Sequence, residues 1–210
     1  MAAPRALVFD LDHTLVSSPL DLRAMARDLL AFLRERGVEL PARESAWSAP
    51  ELARLVRERA PGLEAGFWEI ALDHEERALQ EARLEPGALE ALQVARGLGF
   101  RTAVWTNNGS AVTRHALERF ALLPHLDLIV TRDEVRHLKP DPDGLRVIAG
   151  HWPDLGEIFL VGDSWVDGLA ARAGGVRFIA YQADADDLAR RGIPVWATIS
   201  DLREITTLLG

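Results

Sequence analysis

Residues 6–14 read ALVFDLDHT: four apolar residues, then Asp10, Leu11, Asp12, His13 and Thr14. A short apolar run that ends in polar residues is the pattern of a buried strand, with its acids at the C-terminal end. Side chains alternate faces along a strand. Asp10 and Asp12 can therefore serve one site only if the chain turns at Leu11–Asp12. Outward from this stretch the same shape recurs in RTAVWTNNG (101–109), LDLIVTRD (126–133) and EIFLVGDS (157–164), and VRFIAY (176–181) supplies a fifth strand. Helical spacing lies between them, near 87–98, 111–121, 142–150, 166–173 and 201–209. Strands alternating with helices predict an α/β fold, a doubly wound, Rossmann-like parallel sheet covered on both faces. Such sheets bind ligands outside the C-terminal strand ends, near a topological switch point, and the polar residues collect there.

Residues 17–85 break the rhythm and hold no convincing strand. Leu22, Met25, Leu29, Phe32 and Leu33 follow helical spacing up to Gly37, a residue suited to the position just past a helix end. Ser48-Ala49-Pro50-Glu51 has the form of a capping box, opening a helix that ends at Pro61-Gly62. Phe67, Ile70, Ala71, His74, Ala78 and Ala82 mark a third helix. The sequence thus predicts a small all-helical insert over 17–85, placed after the first strand of a core made of 1–16 and 86–210.

Composition excludes several classes. The 210 residues contain no cysteine, so disulfides, thiolate metal sites and a cysteine nucleophile are ruled out. No run approaches the roughly 20 apolar residues of a membrane span, and the aspartate at position 10 interrupts any signal-peptide apolar region. A cytoplasmic protein is expected. The net charge is −8 with scattered basic residues, which argues against nucleic acid as a partner. Of the 24 basic residues 23 are arginine, and the one lysine is Lys139. Lysine is a compact point charge with rotatable donors, so Lys139 is expected where a guanidinium does not fit. The arginines at 23, 27, 34, 36, 43, 54, 57 and 59 read as solvated helix faces paired with Glu or Asp.

Four polar clusters follow four strands. Acid pairs such as Asp10 and Asp12 bind Mg²⁺, which takes oxygen ligands, or divide nucleophilic and proton-transfer roles. Thr106 and Asn107 offer a hydroxyl and an amide. Asn108, Gly109 and Ser110 then open a helix whose N-terminus suits a phosphate, with Ser110 as its N-cap. Lys139-Pro140-Asp141-Pro142-Asp143 stiffens the approach of a cation and favours a helix start just beyond. Gly162 permits close backbone approach, Asp163 is a candidate metal ligand, and Asp167 is a supporting carboxylate.

Together these motifs resemble the haloacid dehalogenase superfamily, on its phosphoglycolate-phosphatase-like branch with a helical cap. They are Asp10-Leu11-Asp12-His13-Thr14, Thr106-Asn107, Lys139-Pro140 and Gly162-Asp163-Ser164-x-x-Asp167, spread over residues 6–181. The resemblance implies that the insert over 17–85 is a helical cap domain. It also implies a Mg²⁺-dependent phosphatase acting on a small phosphorylated metabolite. Asp10 would attack phosphorus to give an aspartyl-phosphate, and Asp12 would protonate the leaving oxygen and then activate water. Asp10, the Asp12 main-chain carbonyl and Asp163 would hold Mg²⁺, with Asp167 in support. Thr106, Asn107 and Lys139 would hold the phosphoryl oxygens. A carboxylate at position 12 separates phosphate-ester chemistry from the dehalogenases of the superfamily.

His13 stands where the family often has glycine. It is expected as a turn residue facing solvent, the alternative being that it narrows the pocket or touches the leaving group. Trp105 is expected in the core, and Trp165 either at the entrance or as packing under its loop. A sugar-phosphate mutase keeps the same chemistry. A phosphate-binding regulatory module without turnover, or a silent interaction protein, belongs to another class. No membrane partner is expected, and the chain is expected as a monomer or homodimer.

Overall fold

A computed structural model describes residues 3–210. The first strand, β1 (Arg5–Phe9), is followed by a two-residue strand, β2 (Val16–Ser17). Three helices come next: α1 (Leu22–Glu35), α2 (Ala49–Arg59) and α3 (Glu64–Glu81). The chain returns through β3 (Arg83–Leu84). It then alternates: α4 (Ala88–Gly97), β4 (Arg101–Trp105), α5 (Ser110–Arg119), β5 (Leu128–Val130), α6 (Asp143–His151), β6 (Glu157–Gly162), α7 (Trp165–Gly174), β7 (Arg177–Tyr181), α8 (Ala185–Arg190), β8 (Ala197–Ile199) and α9 (Ile205–Leu209).

Six strands form one sheet in the order β5-β4-β1-β6-β7-β8, and every pair in it is parallel. Helices flank it, the α/β doubly wound arrangement the periodicity predicts. Val8, Phe9, Val104, Leu160, Val161 and Ile179 are all fully buried, as strands covered on both faces require. The strand order reverses at β1, whose neighbours β4 and β6 are reached in opposite directions, so a crevice opens at the C-terminal end of β1. Towards the C-terminus, β8 and α8 have no counterpart in the sequence reading. The edge strand β8 is only three residues long, and α8 carries a single buried residue, Leu188, so neither presents a periodic apolar face. The segment expected as one helix near 201–209 divides into a 3₁₀ turn (Leu202–Glu204) and α9.

Residues Pro19–Glu81 make one compact unit and the other described residues make a second. The expected limits of the insert, 17 and 85, fall in or beside a two-stranded antiparallel ribbon. In it Val16 pairs with Leu84 and Ser17 with Arg83. The ribbon was illegible because each strand has only two residues. In the helical unit, Met25, Leu29 and Leu33 of α1 are buried, as are Leu52 and Val56 of α2 and Phe67 and Ala71 of α3. Leu22, expected on the apolar face, is instead exposed in the first turn of α1. Gly37 ends α1 at φ +73°, a backbone that a side chain would strain. The Ser48–Glu51 pairing is present, with the Glu51 carboxylate accepting from the Ser48 amide and hydroxyl at 2.9 and 2.7 Å.

Candidate active site

The turn demanded by the Asp-x-Asp spacing is present. The amides of Leu15 and Val16 both donate to the Leu11 carbonyl at 2.9 Å, and His13 N–H donates to the Val16 carbonyl at 2.7 Å. His13 is exposed with φ +56°, which agrees with a solvent-facing turn residue; histidine tolerates this region better than most non-glycine residues. Asp10 is fixed from the neighbouring strand by its amide, which donates to the Val161 carbonyl at 2.9 Å.

Lys139 is the centre of the arrangement. Its Nζ is buried and donates to Asp10 Oδ1 at 2.5 Å, Asp167 Oδ1 at 2.7 Å and the Trp105 carbonyl at 2.9 Å. Three acceptors converge on the three donors of one ammonium. A planar guanidinium presents its donors in a fixed fork and does not match that tripod. This gives a physical reason for lysine here in an arginine-rich chain. The ammonium also lies 5.2 Å from the Trp105 ring centroid. Trp105 is fully buried, as expected.

One carboxylate oxygen each from Asp10, Asp163 and Asp167 lies within 4.8 Å of the others. Burial drives the Asp10 carboxyl well above the ordinary value. Lys139 opposes that shift, while Asp167, Asp163 and Asp12 add to it. Burial, then the charge of Asp167, pushes Asp163 up to about 6, against the opposing influence of His13 and Lys139. Burial disfavours charge on Lys139 too, but Asp10 and Asp167 outweigh it and hold its pKa above the ordinary lysine value. The cluster therefore has more buried negative charge than one ammonium balances. Hard oxygen donors at this density fit a divalent cation such as Mg²⁺.

The other predicted residues take more specific places. Asp167 is engaged at both oxygens: Oδ1 by Lys139, and Oδ2 by the Ser164 hydroxyl at 2.6 Å. It is therefore better placed to hold the lysine than to ligate an ion. A Cβ at Gly162 would lie 2.5 Å from Asp167 Cβ, so glycine is required for this approach. Asp12 accepts from Ser18 Oγ at 2.7 Å and from Asn108 Nδ2 at 2.5 Å. Thr106 is buried, and its Oγ1 accepts from the Asn108 amide at 3.2 Å.

Asn107 differs from the expectation of a side chain open to a ligand. Its Oδ1 accepts from Lys139 N–H at 2.9 Å and its Nδ2 donates to the Lys139 carbonyl at 3.2 Å, locking two strand-end segments together. Ser110 is not the N-cap of α5; Gly109 is. The Ser110 amide donates to Asp133 Oδ2 at 2.7 Å, because an acid on the next strand-end loop reaches the helix N-terminus first. Pro142 directly precedes α6, as the proline spacing predicts. Trp165 is half-buried beneath Arg191, whose guanidinium lies 4.1 Å from the ring centroid.

Sequence reasoning missed Ser18, which fell inside the supposed cap, and the grip of Asn108 on Asp12. A hydroxyl six residues after Asp12 carries no sequence signal. Asn108 beside Thr106-Asn107 was a signal, but was assigned to the helix opening. Of the arginines expected to pair on the helical unit, Arg43 meets Glu51 at 2.9 Å and Arg57 meets Glu64 at 2.5 Å. Arg36 lies 4.0 Å from Glu35, while Arg23, Arg27, Arg34, Arg54 and Arg59 have no side-chain ion pair or hydrogen bond among the described residues.

Residues 7–181 match the family model described as haloacid dehalogenase-like hydrolase. The chain is 32% identical to a phosphoglycolate phosphatase of Cereibacter sphaeroides, over 89% of this chain and 91% of that protein. It is 31% identical to a phosphoglycolate phosphatase of Rhodospirillum rubrum, over 99% and 91%. A crystal structure of a HAD-superfamily hydrolase, subfamily IA, from Geobacter sulfurreducens superposes with TM-score 0.63 at 25% identity, over 99% of this chain and 97% of that one.

Proposed function

The chain belongs to the haloacid dehalogenase-like hydrolase family and is a phosphoric monoester hydrolase, and on that premise we propose that it dephosphorylates a small metabolite through Asp10. The observation that carries this reading is the convergence on Lys139 of Asp10 and Asp167, with Asp163 beside them. Phosphoryl transfer depends mainly on positioning and on neutralising charge on the phosphoryl oxygens. A buried, permanently charged ammonium next to the attacking carboxylate supplies both.

In the proposal, an Asp10 carboxylate oxygen attacks phosphorus in line with the leaving oxygen. The bond from phosphorus to the leaving oxygen breaks as Asp12 gives that oxygen a proton. Asp12 then takes a proton from water, the water oxygen attacks phosphorus, and the bond to Asp10 breaks to release inorganic phosphate. Ser18 and Asn108 hold Asp12 in place for both transfers. The Thr106 hydroxyl and Lys139 bind phosphoryl oxygens. Asn107 contributes its main-chain N–H, since its amide is engaged by Lys139. Asp10, Asp163 and the Asp12 main-chain carbonyl would hold Mg²⁺, which supplies charge neutralisation for an anionic substrate entering a net-acidic protein. Asp167 orients Lys139.

Phosphoglycolate is the first substrate to test, since relatives covering nine-tenths of the chain carry that activity in their names. A panel of phosphate esters with Mg²⁺, scored for inorganic phosphate, tests the reading. Phosphate release equal to substrate loss is expected. Substrate loss without phosphate would indicate a mutase. A persistent aspartyl-phosphate without turnover would indicate a regulatory module.

A further inference from the structure

The unit Pro19–Glu81 contains a cavity of its own, about 780 Å³, between α1 and the segment 38–47. That volume falls in the roughly 300–1,000 Å³ range of small-molecule sites. Arg23, Arg27, Leu30 and Arg34 line it from α1, at spacings of four, three and four residues. This places them in one stripe along the helix. Val38, Leu40 and Trp47 line it from the facing segment.

The facing wall is built rather than loose. Arg43 donates to the Ser45 carbonyl and hydroxyl, to the Ala46 carbonyl and to Glu51, each at 2.9 Å, and stacks 4.4 Å from the Trp47 ring centroid. Arg43 is thus a clamp for the wall. The three arginines of α1 have no such employment. None makes a side-chain hydrogen bond or ion pair with a described residue, and the lining contains no Asp or Glu. Asp21 lies outside the lining and caps α1 by accepting from the amides of Arg23 and Ala24; those amides, with Arg27 and Arg23 adding to them, hold its carboxyl below the ordinary value.

Like charges four residues apart on a helix repel. In a chain with 32 acids and 24 bases, a cavity lined by arginine without a single acid is a local reversal of sign. Guanidinium forks match carboxylate, phosphate and sulfonate oxygens, while Leu30, Val38, Leu40 and Trp47 suit an apolar or aromatic body. We propose that this cavity is a second ligand site, taking a small organic anion with an apolar body, and built wholly from Pro19–Glu81.

The test uses the full chain and 8-anilinonaphthalene-1-sulfonate, an aromatic sulfonate whose emission rises in an apolar site. Saturable binding with a stoichiometry of one per chain is expected. It should weaken with added sodium chloride, because the arginines are exposed and screened. N-phenyl-1-naphthylamine, which lacks the charge, should bind at least about tenfold more weakly, since it forgoes charge-assisted hydrogen bonds. The double variant Arg27→Gln/Arg34→Gln should lose affinity by a similar factor, while Arg114→Gln on α5 should not. Near-UV circular dichroism checks that the double variant is folded, and the salt and neutral-probe arms need no variant. Absence of saturable binding, equal affinity for the neutral probe, or undiminished affinity in a folded double variant would overturn the proposal.

Discussion

Replacing Lys139 by methionine removes the one cation from the acid cluster while nearly keeping its volume. In the wild type, Nζ satisfies Asp10, Asp167 and the Trp105 carbonyl from a buried position. The variant leaves those carboxylates and Asp163 facing one another without compensation. Removing one partner of a buried ion pair costs about 3–5 kcal/mol. For a chain of this size each kcal/mol shifts the melting temperature by about 2–4 °C, so a loss of about 6–20 °C is expected. The deficit should depend on pH in a defined direction. Asp10 and Asp163 already hold protons more tightly than ordinary aspartates, Asp163 with a pKa of about 6, and losing the ammonium raises both further. Lowering the pH from 7.5 to 5 protonates the cluster, relieves the repulsion and narrows the gap to the wild type. Thermal and urea unfolding of both proteins in EDTA at the two pH values measure this. A deficit below about 1 kcal/mol at pH 7.5 would fall short of any broken buried pair, and a deficit that widens at pH 5 would reverse the sign. Either result refutes the reasoning. Lys139→Arg keeps the charge but not the three convergent donors, and should fall between the two.

Asp10→Asn should cut phosphate release by at least about a thousandfold, because the carboxylate that forms the covalent bond is gone; circular dichroism should show an intact fold. Gly162→Ala forces a Cβ to 2.5 Å from Asp167 Cβ and should destabilise by about 1–3 kcal/mol in urea titrations. Asn108→Ala frees one side of Asp12, so steady-state kinetics should show kcat falling about tenfold or more with KM little changed. For metal-free wild type, Asp163 has a folded pKa of about 6 against an ordinary 3.8. Its favourable contribution is complete below the ordinary value and lost as pH rises through the folded one. Mg²⁺ should therefore raise the melting temperature more at pH 7.5 than at pH 5, as scanning fluorimetry can measure.

The sheet was legible because its buried strands are continuous apolar runs, and the site because each run ends in polar residues. Thr106, Lys139, Asp163 and Asp167 could be placed at strand ends with no knowledge of how the strands pair. What stayed hidden depends on which partner each polar atom reaches. Asn107 has an amide that suits an anion, yet the Lys139 backbone lies closer and takes both its ends. Ser110 is a good capping residue by type, yet Asp133 supplies the acceptor from another loop. Arg23, Arg27 and Arg34 form no ion pair among the described residues, because charge spacing along a helix does not show what faces the helix. Edge elements such as β8 bury too little to leave a periodic trace.

The pairing of Val16 with Leu84 and Ser17 with Arg83 brings the two ends of a long excursion together at a single doorway. With that doorway fixed, each doubling of the excursion adds only about 0.6 kcal/mol of closure entropy for a flexible segment. Replacing what hangs from the doorway by a longer, shorter or differently shaped module should thus leave strand pairing untouched. The insert can change there without moving the strand ends that hold the acids and the lysine.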